Sequence, residues 1–126
     1  MTTVVTGWGV NVSSTAAEEA TTAEILQEIE LPLATADRCK KIINSTFDGI
    51  LCFGGGEEGK GGCFGDSGGP LIVQKPGETS WTLAGLVSAG TIDRCATEDT
   101  FGIAVEVAHV LDFIRTTASD GEFCPK

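Results

Sequence analysis

Short apolar bursts, each broken by glycine or a polar cluster, recur along the chain at residues 3–6, 26–31, 50–53, 70–74, 81–87 and 102–107. That spacing predicts six strands of an all-β domain. Residues 16–31 pull two ways. Their Ala and Glu content, with Ile25, Leu26 and Ile29 at helical spacing, favours a helix. Glu28, Ile29, Glu30 and Leu31 alternate instead as a half-buried strand does, and the local pattern leaves both open. Near the C-terminus the period changes: Val107, Val110, Leu111 and Ile114 repeat at i, i+3, i+4 and i+7, which makes one apolar face and predicts a terminal helix. Residues 11–22 are polar and small, the composition of a long surface loop open to proteolytic nicking.

Composition narrows this to one core. The chain has 126 residues, 41% of them hydrophobic, and no apolar run of membrane-spanning length, so a single soluble globular domain and no membrane partner are expected. Eight basic residues against 18 acidic ones give a net charge of −10, which argues against nucleic acid and anionic lipid, since phosphate contacts need clustered Lys and Arg. Five cysteines, at 39, 52, 63, 95 and 124, point to an oxidising compartment and a secreted, extracellular protein. They do not read as a metal site: close CxxC pairs are lacking and the chain holds one histidine, so neither metal nor other cofactor is expected. The sequons Asn11-Val12-Ser13 and Asn44-Ser45-Thr46 are candidate glycosylation sites consistent with secretion. The opening MTTVVTGWG carries neither a basic region nor a long apolar run, so no signal peptide is visible in it.

The segment KGGCFGDSGGP, residues 60–70, concentrates five glycines around one hydroxyl, that of Ser67. A serine so flanked is a turn residue, a helix cap, or a nucleophile whose backbone must approach a reacting carbonyl. The third option uses more of the pattern, because an oxyanion hole needs backbone N–H groups with no side chains in the way and Gly65 lies two residues before Ser67. Asp66 and the Gly68-Gly69 pair then hold a special turn, and Pro70 starts an extended segment. Residues 65–69 also fit the GxSxG elbow of α/β-hydrolases, with Asp93 or Asp99 and then His109 following in the required order. That elbow leads straight into a helix, whereas Gly68-Gly69-Pro70 followed by Leu-Ile-Val opens a strand, and the chain is short for a doubly wound sheet.

The sequence resembles the chymotrypsin-like, or trypsin-like, serine proteases over nearly its whole length. The resemblance is carried by VTGWG at 5–9, LQEIELPL at 26–33, CKK at 39–41, ILCFG at 50–54, CFGDSGGPLIV at 63–73, LAGLVSAG at 83–90, FGIAVEV at 101–107 and DFI at 112–114. It implies the C-terminal half of the catalytic domain: a six-stranded antiparallel Greek-key barrel with a closing helix over residues 1–126, the N-terminal barrel with the catalytic histidine and aspartate being absent. Ser67 would be the acyl-forming nucleophile, with the N–H groups of Gly65 and Ser67 as the oxyanion hole. Asp66 would take the α-ammonium released by zymogen cleavage. Ser88, Ala89 and Gly90 would form the edge that hydrogen-bonds substrate backbone. Gly61, Gly62, Phe64 and Gly102 would surround the specificity pocket.

The same resemblance implies bridges Cys39–Cys52 and Cys63–Cys95, with Cys124 outside that scheme. A third family bridge would join the positions of Thr3 and Val73, both of its cysteines being absent together. Ala89 and Ala104 stand where larger residues are usual, which implies wider subsites. Gly61, Gly90 and Gly102 imply a deep uncharged slot and cleavage after large apolar residues, although Asp93, Glu98 and Asp99 near its mouth would tolerate a basic one. His109 falls on the terminal helix, where a surface pair with Asp112 is expected rather than catalysis. Trp8 and Trp81 read as core or rim packing. Protein or peptide substrates follow from the endopeptidase reading; the alternative is a protease-fold binding protein without turnover.

Overall fold

A computed structural model describes residues 2–9, 24–44, 46, 48–54, 67–90 and 101–123. Among them six strands form: β1 (Thr2–Gly7), β2 (Gln27–Pro32), β3 (Ile50–Gly54), β4 (Pro70–Val73), β5 (Thr82–Gly90) and β6 (Phe101–Glu106). All pairings are antiparallel, in the order β2-β1-β4-β5-β6-β3. The two outer strands of that order then meet. Leu33, just past β2, bridges to Phe53 on β3, and the Ala34 N–H donates to the Cys52 carbonyl at 2.9 Å. The sheet thus curls into a half-barrel whose edges approach each other, which limits the unpaired backbone it presents.

The inward side of every strand feeds one core. Val5, Leu31, Phe53, Leu71, Val87 and Ala104 are buried together, with Ile29, Leu33, Leu51 and Ala84 packed against them. Thr3 is buried as well, and its hydroxyl donates to the Leu31 carbonyl at 3.0 Å, so the polar group is satisfied. Thr3 lies directly opposite Val73 in the β1–β4 ladder. The two positions that the family's third bridge would join, neither of them a cysteine here, are therefore cross-strand neighbours, held by packing and hydrogen bonding.

Residues 27–32 resolve as strand. Six consecutive partners on β1, from Gln27 opposite Gly7 to Pro32 opposite Thr2, and the burial of Leu31 outweigh the local preference for helix. Residues 16–23 of the competing helix, and the expected loop at 11–22, lie outside the described residues. The tail turns as expected but in two steps: a 3₁₀ turn (Val107–Val110) and then helix α2 (Leu111–Thr117).

One helix was not anticipated, α1 (Ala36–Ile43). Its signals were present in the sequence. Thr35 caps it, the hydroxyl accepting from the Arg38 N–H at 3.3 Å; Asp37 sits in the first turn, Lys40 and Lys41 in the last, and Asn44 ends it in the left-handed region at φ 49°. Its apolar residues Ala36, Cys39, Ile42 and Ile43 do fall at helical spacing, but over only eight residues with one buried side chain, Cys39, too short a run to stand out as a helix. Cys39 forms a disulfide with Cys52, Cα to Cα 5.4 Å, which fastens α1 to β3 as the resemblance implied. The Arg38 guanidinium lies 5.2 Å from the Phe101 ring centre and ties α1 to β6. Cys63, Cys95 and Cys124 lie outside the described residues.

Candidate active site

Ser67 stands at the entry to β4, exposed, in a turn whose next residue, Gly68, has φ +85°. A Cβ on Gly68 would meet nothing, so the backbone angle and not space calls for glycine. Two backbone hydrogen bonds lock this turn onto β5: Gly68 N–H to the Val87 carbonyl at 2.6 Å and Val87 N–H to the Gly69 carbonyl at 2.9 Å. The chain then enters β4 at Pro70, a strand and not a helix, which removes the GxSxG elbow from consideration.

The Ser67 hydroxyl donates to the Ser88 carbonyl at 3.2 Å. Ser88 owes its position to an irregularity in the ladder. Val87 pairs with Ala104 and Ala89 with Ile103, so Ser88 is the extra residue of a bulge, which re-aims the backbone locally. Ser88 and Ala89 are both exposed, beside Ser67. Gly90 follows, paired with Gly102 on β6. Sequence elements distant in the chain, at 67–69 and 87–90, are thereby joined into one edge that carries the Ser67 hydroxyl and the Ser88 carbonyl side by side.

Gly102 has a reason of its own to be glycine. A Cβ there would strike the Phe53 ring, which fills the core beneath it. On the other side of Ser67 a recess of about 380 Å³ is lined by Thr6, Gly7, Trp8, Leu26, Gly69 and Pro70 together with Ser67 itself. Trp8 is thus a rim residue, 54% exposed, and Trp81 is 51% exposed; neither belongs to the core. Trp8 adjoining Ser67 was not foreseen, and its place between Gly7 and Gly9 was the available signal.

His109 is not near this edge. Its ring lies over Gly49, where a side chain would collide with it, at the start of β3. From β4 to β3 the order runs through β5 and β6, three steps of about 4.8 Å each. The pair with Asp112 does not form either: Val110, at φ −108° and ψ 14°, interrupts the helix between the two residues and removes the i, i+3 geometry. Among the described residues no histidine, carboxylate or lysine therefore stands ready to accept the Ser67 proton.

Gly61, Gly62, Phe64, Gly65 and Asp66 lie outside the described residues, as does Asn11; Asn44 is exposed at the end of α1. No cluster of metal-ligating side chains occurs among the described residues.

Comparison with known proteins places the chain. The Trypsin family model matches residues 1–114. The chain is 38% identical over 117 residues to Trypsin-1 of Astacus astacus, covering 91% of the chain and 46% of that protein. It is 32% identical over 125 residues to vitamin K-dependent protein C of Oryctolagus cuniculus, covering 98% of the chain and 26% of that protein. Ovochymase of Halocynthia roretzi is 33% identical over 117 residues, 91% of the chain and 7% of its own length. The chain spans less than half the length of each of these relatives. With a serine-bearing turn locked to a bulged strand on a six-stranded antiparallel half-barrel followed by a C-terminal helix, a fold consistent with the second barrel of the family, this chain belongs to the trypsin family of serine proteases.

Proposed function

We propose that the chain is the nucleophile-bearing half of a secreted serine endopeptidase, working with a further segment that supplies histidine and aspartate. The observation that carries this reading is the exposed Ser67 hydroxyl held 3.2 Å from the Ser88 carbonyl on the edge of β5. Substrate backbone pairs with Ser88–Gly90 by strand addition, which brings the scissile carbonyl over Ser67. The Ser67 oxygen attacks that carbon as its proton passes to the histidine of the other segment. The resulting oxyanion rests on the N–H groups of Gly65 and Ser67; the C–N bond then breaks, the amine takes the proton, and water hydrolyses the acyl-enzyme. Asp66 assembles the hole by pairing with a newly released α-ammonium.

The slot framed by Gly61, Gly62, Phe64, Gly90 and Gly102 lacks a charge at its base, so burial of apolar area, at about 25 cal/mol per Å², favours Phe, Tyr or Leu before the cleaved bond. Bridge Cys63–Cys95 would brace its wall. The test is the full-length protein against matched substrates differing in that residue. A higher kcat/KM for Phe than for Arg, lost by about a millionfold in kcat on Ser67→Ala, is the expected result; a preference for Arg overturns the pocket assignment. A second reading, a protease-fold binding protein without turnover, draws on the position of His109 away from Ser67. Absence of any Ser67-dependent turnover in the full-length protein would select it.

A further inference from the structure

We infer that Asn44 carries an N-linked glycan whose role is to shield the Lys40-Lys41 pair of α1 from lysine-directed proteolysis, an inference that rests on the secretory route proposed above and not on catalysis. The acceptor is well presented. Asn44 is exposed, stands in the left-handed region where α1 stops, and uses its backbone N–H on the carbonyls of Lys40 and Lys41, while its side-chain amide makes no hydrogen bond among the described residues. Thr46, two residues on, is exposed too and completes the sequon with the hydroxyl that the transferase requires.

Asn44 follows Lys41 by three residues and Lys40 by four, the two spacings that share one helix face. Asp37, Lys40, Lys41, Asn44 and Thr46 border one shallow, open stretch of surface. Sugar hydroxyls set at Asn44 meet there a carboxylate and ammonium groups able to hydrogen-bond them. Three of the eight basic residues of the chain, Arg38, Lys40 and Lys41, lie in α1. Lys40 is held by Asp48 at 3.2 Å, whereas Lys41 is exposed and forms no ion pair among the described residues. The disulfide holds α1 at Cys39, but the last turn beyond it, residues 40–43, buries no side chain, so that end frays more readily and offers the bonds after Lys40 and Lys41 to a protease. A glycan on the same face blocks that approach, and α1 sits on β3, at the far end of the strand order from the Ser67 turn, so it leaves the candidate active site open.

The test uses full-length protein carrying Ser67→Ala, to prevent self-digestion, secreted from a eukaryotic host. Amidase release of glycans in heavy-oxygen water should mark Asn44 in the peptide map. A lysine-specific endopeptidase should cut after Lys40 or Lys41 about tenfold faster once the glycan has been removed under native conditions, and equally fast in Thr46→Ala, which abolishes the sequon without touching the helix cap. Secreted protein with Asn44 unmodified, or a glycan whose removal leaves the cutting rate unchanged, overturns the inference. Because Ser67 is inactivated throughout, neither result depends on whether the protein is a protease.

Discussion

Phe53 and Gly102 form a matched pair, ring against missing side chain, and neither makes sense alone. Gly102→Ala should lower stability by about 1–3 kcal/mol, as overpacked cores do, read as a lower urea midpoint with unchanged slope. An unchanged midpoint would mean that the ring moves aside freely. Gly68 makes a different demand, since only its backbone angle is unusual. Gly68→Ala should cost about 1–2 kcal/mol and loosen the Val87 bonds that fix Ser67, whereas Gly68→Asn should cost less. Around Ser67 the sequence was informative, because glycines and a following proline state backbone requirements directly. It was silent about Gly102 and Phe53: a glycine needed for a neighbour in another strand looks the same as one needed for a pocket wall.

Among the elements, strands were legible where apolar bursts were bounded by turn residues, and six of them formed within a few residues of their expected limits. β2 shows why pattern alone stalled. Its helical and extended readings balance locally, and only the ladder to β1 decides. α1 escaped because its apolar stripe, Ala36, Cys39, Ile42 and Ile43, covers only two turns, and the caps and disulfide that complete it are each single-residue signals. Those determinants can be tested one at a time. Thr35→Ala should remove about 1 kcal/mol through loss of the Arg38 cap bond. Replacing Cys39 and Cys52 together by Ala should cost roughly 2–4 kcal/mol, because the bridge closes a short loop and anchors the whole helix. Hydrogen exchange in α1 should then rise to the rate of a peptide, while β5 stays protected.

For the whole molecule, the family could be read from eight short motifs, but the packing of the His109 ring over Gly49 could not, since it depends on how the 3₁₀ turn folds back. That position has a direct consequence: residues 1–126 alone should show at most the trace activity left when a triad member is missing, roughly 10³–10⁴-fold over water, and His109→Ala should not alter it. Robust turnover of the isolated chain, lost in His109→Ala, would refute the proposed division of labour. The meeting of Leu33 with Phe53 bears on how quickly the molecule assembles. The Leu33–Phe53 contact lies between strands close in sequence, yet the sheet it completes depends on pairing Thr3 with Val73 and Ile50 with Val105. Each of those ladders must gather distant parts of the chain before it rewards the entropy spent, so folding should be slow, in the millisecond-to-second range of other non-local β topologies. Cys39–Cys52, lying within the local part, can oxidise before the sheet is complete, and would shorten the search by delivering α1 and β3 already joined.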